Sequence, residues 1–190
     1  MAKLVIGTNK QTAVPAVVKE VQVVNKYAYG NLIKDDSNND VGYVCGYIKS
    51  GNVTYAVIAT NETTPGKFLS TAAAGGYTYN NLTMWTSSVT ATTANNAILN
   101  NSGGYSSSAV SNCRSYSYVI DGVTYYGQLP TPAELAMALV FKKPGNITYW
   151  TCFAYSAQNA WFFANGGGCG STSKTTYYSC LPILEIPITE

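Results

Sequence analysis

Apolar and polar positions alternate along Val41 to Thr60, VGYVCGYIKSGNVTYAVIAT, on either side of Ser50-Gly51-Asn52. This pattern predicts a β-hairpin. Upstream, Val14, Val17, Val18, Val21, Val23 and Val24 precede the polar turn KDDSNND, and Val21 and Val23 flank Gln22. At least one strand is expected there. Residues 1–38 read as an N-terminal β arm for attachment or oligomerisation, with an ordinary first strand of the main domain as the alternative. Residues 39–190 form that domain. Two short helices are expected around Ala91 to Leu99 and from Ser106 through Cys113, both with weak propensity and dependent on packing.

The clearest local signal is LPTPAELAMALVFKK, residues 129–143. Thr131 can cap a helix, Pro132 suits its first position, and Glu134 at the third closes a capping box. Leu135, Ala138 and Leu139 share one face, Lys142 and Lys143 suit the negative end of the dipole, and Pro144-Gly145 stops the helix. Beyond it, Asn146 to Tyr149, Trp161 to Ala164, Tyr177 to Cys180 and Leu184 to Ile188 read as short strands. Alternation in WFFAN puts Trp161 and Phe163 on one face and Phe162 on the other. The loop with Gly166, Gly167, Gly168 and Gly170 has no following lysine or helix start, so it does not suit a phosphate.

At 190 residues the chain is the size of one main domain. Charged residues make up only 11%, so tyrosine, asparagine, threonine, serine and glycine carry the polar surface. A net charge of +2 offers no basic stripe for nucleic acid. No apolar run approaches a membrane span, and Leu4, Val5 and Ile6 stop at Gly7, short of a signal-peptide core. Synthesis and folding in a cytoplasm, without membrane insertion, are expected. Five cysteines, an odd number without CxxC spacing, argue against a disulfide framework and a zinc site. Buried or incidental thiols are expected, with a Cys152–Cys180 or Cys169–Cys180 bridge as the alternative.

The chain has no histidine, which removes the commonest general base and excludes a Ser-His or Cys-His nucleophile. Asp35, Asp36 and Asp40 lie in a turn that lacks the spacing and final glutamate of an EF-hand loop, and they read as solvated, with a calcium site as the minor alternative. Glu185 and Glu190 lie near the C-terminus, and nothing in the sequence pairs carboxylates across a cleft. Glu134 reads as a capping residue. The expectation is a protein that is not an enzyme and has no cofactor or metal.

Residues 149–180 then stand out, with nine aromatic residues, three cysteines and one charge, Lys174. Tyrosine and tryptophan supply rigid contact area, while serine, glycine and asparagine supply adaptable hydrogen bonds, as in binding loops. Trp150 and Trp161 read as framework.

The order NNAIL (95–99), SSSAVSNCRSY, GQLPTPAEL (127–135), YWTCFAYSAQNAWFFANG (149–166) and YYSCLPI (177–183) resembles the C-type-lectin-like domain of bacterial collagen-like adhesins. It also resembles the related variable proteins of phage diversity-generating retroelements, which include tropism determinants. The resemblance covers roughly residues 41–190. It implies an α+β, C-type-lectin-like fold with short antiparallel strands and two or three helices. Where this family closes on Tyr-Val-Arg-Pro, the chain has Ser179-Cys180-Leu181-Pro182. The sugar-binding Glu-Pro-Asn, Gln-Pro-Asp and Trp-Asn-Asp signatures of calcium-dependent lectins are absent.

In such diversified proteins, adenines of AAC or AAT codons are randomised, which excludes tryptophan, glutamine, lysine, glutamate and methionine as products. The resemblance therefore implies that Trp150, Gln158, Trp161 and Lys174 are framework. Cys152, Phe153, Tyr155, Ser156, Asn159, Cys169, Tyr177, Ser179 and Cys180 become candidate variable, ligand-binding positions. The implied function is a phage tail-associated receptor-binding protein, carried on the virion among other virion proteins and binding a host-surface protein or glycan. Display in several copies is expected, with a homo-oligomer among the arrangements that would provide it. The rivals are a fixed-specificity bacterial adhesin or structural protein of the same fold, and an enzyme related to the formylglycine-generating fold.

Overall fold

The computed structural model describes residues 25–69, 89–101, 107–142, 145–156 and 158–188. The valine-rich stretch through Val24 lies outside these residues, as do Lys143 and Pro144. The described chain runs β1 (Leu32–Lys34), β2 (Asp40–Ser50), β3 (Val53–Thr60), β4 (Thr64–Lys67), α1 (Ala91–Asn101) and α2 (Ser108–Arg114). It continues with β5 (Ser117–Ile120), β6 (Val123–Tyr126), α3 (Pro132–Leu139), β7 (Thr148–Ala154), β8 (Asn159–Ala164), β9 (Cys169–Ser173), β10 (Tyr177–Cys180) and β11 (Ile183–Ile188). The fold is mixed α+β. Among the described residues no helix is long and apolar enough to cross a membrane.

The first sheet has the order β1-β2-β3-β11 and is antiparallel throughout. The second has the order β4-β10-β7-β8-β9, antiparallel except where β10 runs parallel to β7. The hairpin β5–β6 stands apart, turning through Asp121 and Gly122 at φ 54° and 74°. Positive φ at both turn positions matches the right-handed twist of its strands.

The apolar runs of β3 and β11 do not alternate because this part of the first sheet is buried on both sides. On one side Val57, Ala59, Leu181 and Ile183 meet Leu135 and Ala138 of α3. On the other, Val41, Ile58, Leu184 and Ile186 meet Ile120 of the β5–β6 hairpin and Ile33 of β1. Strand β1 lies within the span assigned to the arm, yet it pairs with β2 and buries Ile33. Residues before it are tied to the hairpin turn, since Lys26 Nζ lies 2.8 Å from Asp121 Oδ1 and the Tyr27 hydroxyl donates to Asp121. The acidic turn is engaged by backbone: Asp35 accepts from Ser37 and Asn39, and Asp36 accepts from the N–H groups of Asp121 and Gly122.

A third core joins α1 and α2 to the second sheet through Phe68, Ile98, Val110, Cys113, Trp150 and Phe153. Two buried side chains hold α1 there. Glu185 of β11 accepts the N–H groups of Ala91 and Thr92 at 2.6 and 2.9 Å, occupying donors that the first helical turn leaves open. Asn95 donates to the carbonyls of Ala91 and Leu129 and accepts the Leu129 N–H at 2.9 Å.

Helix α3 begins with a full capping box: Thr131 Oγ1 accepts the Glu134 N–H, and Glu134 Oε2 accepts the Thr131 N–H at 2.8 Å. It ends at Leu139, earlier than the sequence suggests. The N–H groups of Val140, Phe141 and Lys142 bond three residues back, tightening the chain and turning Phe141 onto Tyr43, with ring centroids 5.7 Å apart. Lys142 donates to the Thr60 carbonyl at 2.7 Å instead of serving the dipole of α3. Thr131→Ala should cost about 1 kcal/mol and lower the melting temperature by about 2–4 °C, read in a thermal scan.

Candidate functional site

The nine candidate positions lie on or beside the second sheet but do not share one environment. Cys152 and Cys180 are fully buried and Phe153 is 2% exposed, all in the core beneath α1 and α2. They offer no surface to a ligand. A codon argument classifies residue types by how they could arise, whereas burial is fixed by the strand pairing that surrounds them.

The accessible candidates divide into two groups. At the β7–β8 turn, Tyr155 is 56% exposed and meets the half-buried Trp161 edge-on at 5.1 Å between centroids. Ser156 is a turn former as much as a contact residue, because its Oγ accepts the N–H groups of Gln158 and Asn159 at 3.3 and 3.0 Å. Asn159 opens β8 opposite Ser173.

The second group lies toward the other end of the sheet, where register aligns Ser179, Tyr149, Phe163 and Cys169 in one row across β10, β7, β8 and β9. This row is separated from the Ala160 level by three residues of β8, about 10 Å of strand rise. Tyr177, 66% exposed, carries the Lys67 ammonium 4.8 Å from its ring centroid. Such a contact over an exposed aromatic ring is worth about 0.5–1 kcal/mol.

Two open grooves flank this end. One, about 430 Å³, is lined by Pro65, Asn146, Ile147, Tyr177 and Ser179 among others. The other, about 420 Å³ and mainly apolar, lies between α3 and the β8–β9 hairpin and includes Leu139, Val140, Phe163 and Cys169. Lys67, Asn146 and Val140 escaped sequence reasoning. Val140 was hidden by its position in an amphipathic helix pattern, but it follows the last helical residue and is 70% exposed.

The strongly perturbed ionisable groups lie elsewhere. Glu134 is fully buried, and its carboxyl is held well above the usual range by desolvation, then by the charge of Glu185 and a hydrogen bond to it. Glu134 Oε1 is buried without a hydrogen-bond donor, so the neutral carboxyl avoids leaving an unpaired charge there. No local motif reports that these carboxyls meet, and their meeting place is a core junction of α1, α3 and β11, not a cleft. Burial raises the Cys152 thiol, with Glu134 and Glu185 adding to the effect. Lys174 is buried with its Nζ unpaired by hydrogen bonds, 5.8 Å from the Phe68 ring centroid, and desolvation pushes it down to about 8. None of these groups lines either groove.

Trp150 is fully buried, donates from Nε1 to the Gly66 carbonyl at 3.0 Å, and packs against Phe68 and Tyr178. The exposed side chains are thus mounted on a sheet whose other residues are packed and hydrogen-bonded. Comparisons with protein-family models, with curated proteins and with solved structures each returned no match.

Proposed function

We propose that the protein is a ligand-binding scaffold of the C-type-lectin-like class, acting as a phage tail-associated receptor-binding protein that recognises a host-surface protein or glycan. The observation carrying this reading is the division of labour in the second sheet. Exposed Tyr155 and Tyr177, with Ser156, Asn159, Cys169 and Ser179, project from a frame whose anchoring side chains Trp150, Asn95 and Glu134 are wholly buried. Side chains at those positions can change without repacking the core. The perturbed acids and thiols lie apart from the grooves, which fits recognition better than catalysis.

Burial of Cys152, Phe153 and Cys180 narrows the proposal and gives the rival reading, a fixed-specificity adhesive or structural domain, its specific support. Two distinguishable outcomes follow from sequencing codons 145–185 in many sibling genomes. Under diversification, Tyr155, Asn159, Cys169, Tyr177 and Ser179 vary widely, Cys152, Phe153 and Cys180 vary only among small or apolar residues, and Trp150 and Trp161 stay constant. A uniform segment overturns diversification and leaves the fixed domain. Binding itself is tested by adsorption to a panel of bacterial cells. The double variant Tyr155→Ala/Tyr177→Ala should lower the melting temperature by no more than about 4 °C, the cost of the Lys67 and Trp161 contacts, yet lose at least about 10-fold in adsorption. Unchanged adsorption would remove these tyrosines from the site.

A further inference from the structure

Among the described residues the two larger sheets end on β1, β11, β4 and β9, and the first three of these edges are protected. Strand β1 is three residues long and ends on Lys34, paired with Asp40 at 3.2 Å. In β4, Asn112 Nδ2 donates to the Pro65 carbonyl and the Lys67 N–H donates to Ser108 Oγ, so α2 covers that edge. Gln128 exchanges both backbone bonds with Ile183 of β11, and Pro187 interrupts the same strand further on. Short length, charge, proline and a covering segment are the usual protections of a sheet edge. Strand β9, Cys-Gly-Ser-Thr-Ser, has no charge and no proline. Its bonding pattern shows what it offers. The Ala164 N–H donates to the Gly168 carbonyl and the Lys174 N–H to the Gln158 carbonyl. Alternation along the antiparallel ladder then turns the backbone groups of Gly170 and Thr172 toward β8 and those of Cys169, Ser171 and Ser173 outward. The Ser173 carbonyl accepts the Thr176 N–H at 2.9 Å, whereas no backbone group among the described residues bonds outward to Cys169 or Ser171. Lys174, just beyond the strand, is buried and brings no charge to the edge.

We propose that β9 pairs antiparallel with β9 of a second copy of the chain, about a two-fold axis at Ser171, and so joins two of the larger sheets edge to edge. In this register Ser171 faces Ser171 of the other copy, Cys169 faces Ser173, and Gly170 faces Thr172. The Ser171 pair exchanges two backbone hydrogen bonds, and the Ser173 N–H of each copy donates to the Cys169 carbonyl of the other. Side chains select a copy over an unrelated strand. The half-buried Phe162 ring lies across Gly170, where an added Cβ would stand 3.1 Å from its tip, and the glycine leaves that side of the edge without a side chain of its own. A second copy brings the β-branched Thr172 opposite this gap, on the same face as Phe162, and aromatic with β-branched is a favoured combination across strands. Symmetry makes the contact twice. No like charges meet, because neither strand carries one. The contact is only a few residues wide, so the association is a weak one. It depends on this edge alone and stands or falls separately from the proposed ligand surface.

The test is sedimentation equilibrium of the full chain in reductant. The weight-average mass should rise from 20.3 kDa toward twice that value between about 10 μM and 1 mM, the range open to a small interface. Ser171→Pro removes an outward N–H and leaves the bonds to β8 in place, so it should keep the far-ultraviolet circular dichroism spectrum and weaken association by at least about 10-fold. Ser171→Lys, which sets two ammonium groups opposite each other, should weaken it similarly without constraining the backbone. In oxidising buffer Cys169→Ser/Ser171→Cys should give a covalent dimer, because facing residues of a bonded pair have Cα atoms about 5.5 Å apart. Wild-type Cys169 should not, since the two sulfurs stand at opposite ends of the ladder, about 14 Å apart along the strand. A chain that stays monomeric throughout that concentration range would overturn the proposal. So would a dimer that survives both Ser171→Pro and Ser171→Lys unchanged, or one whose cross-link runs through wild-type Cys169.

Discussion

Trp150→Ala should destabilise the chain by about 3–5 kcal/mol, a large share of the roughly 5–15 kcal/mol that holds a domain together. The size of the loss follows from where the ring sits. It is fully buried between Phe68 and Tyr178, with centroids 5.9 and 4.9 Å away. Its N–H is bonded to the Gly66 carbonyl of β4. Gly66 is also the point at which α2 touches that strand, since a Cβ there would lie 2.8 Å from the Ala109 backbone. Truncation therefore opens a cavity where β4, β7, β10 and α2 converge, and it leaves a buried carbonyl without a partner. Urea denaturation followed by far-UV circular dichroism measures the loss. Trp150→Phe separates the two contributions, because it keeps most of the apolar volume and removes the N–H. Its cost should fall to about 1–3 kcal/mol. Equal losses for both variants would mean that the hydrogen bond, rather than the packing, dominates.

The same junction explains which parts of the fold were legible in the sequence. Helix α3 and the β2–β3 hairpin were readable because their signals are local: a capping box within four residues, and a turn between two alternating runs. Strand β9, Cys-Gly-Ser-Thr-Ser, has no apolar pattern of its own and is a strand because β8 supplies five consecutive partners. Strand β4 contains Pro65 and Gly66, which argue against a strand, yet it borders β10 and needs that glycine to admit α2. The β5–β6 hairpin has a strong local signal in the turn pair Asp121-Gly122, but no element was assigned between the helix that includes Cys113 and Leu129.

The candidate surface was legible to a similar extent. Composition drew attention to residues 149–180, and Tyr155 and Tyr177 are indeed solvent-facing. Composition could not separate Tyr177 from Cys180, because position along β10 and the cover of α2 decide which side chain is enclosed. The meeting of Glu134 with Glu185 was invisible for the same reason. It depends on β11 closing the first sheet next to the start of α1, a long-range contact that no local motif reports.

That carboxyl pair gives the second large prediction. Folding holds the Glu134 carboxyl in its protonated form, whereas in the unfolded chain it ionises near pH 4.5. The stability this contributes is complete below about pH 4.5 and is lost as the pH rises toward the folded value. The slope can reach about 1.4 kcal/mol per pH unit, the equivalent of one proton. Other groups act mainly outside the interval from pH 4.5 to 8. Asp35 and Asp121, lowered below 3.8 by hydrogen bonds, take stability away as the pH falls through the acid range. Lys174, pushed down to about 8, returns stability between about pH 8 and 10.5, and the half-buried Lys142 acts in the same sense. Cys45 and Cys152 have thiols raised by burial, and both face Glu134, but their effect begins above pH 9.

Glu134→Gln retains the shape of the side chain, lets the amide oxygen accept the Thr131 N–H and lets the amide nitrogen donate to Glu185. Its stability should match the wild type within about 1 kcal/mol at pH 4.5, as an isosteric exchange that keeps both bonds. It should then stay flat to pH 8 while the wild type falls, so the variant is the more stable protein at neutral pH. Glu185→Gln is not equivalent, because an amide nitrogen cannot accept the N–H of Ala91 or Thr92, and it should be less stable than the wild type at every pH. Denaturant midpoints from pH 4.5 to 8 for the three proteins decide the matter. A wild-type profile as flat as that of Glu134→Gln would show that the fold does not hold Glu134 protonated, and Glu134 would then act as a helix cap alone.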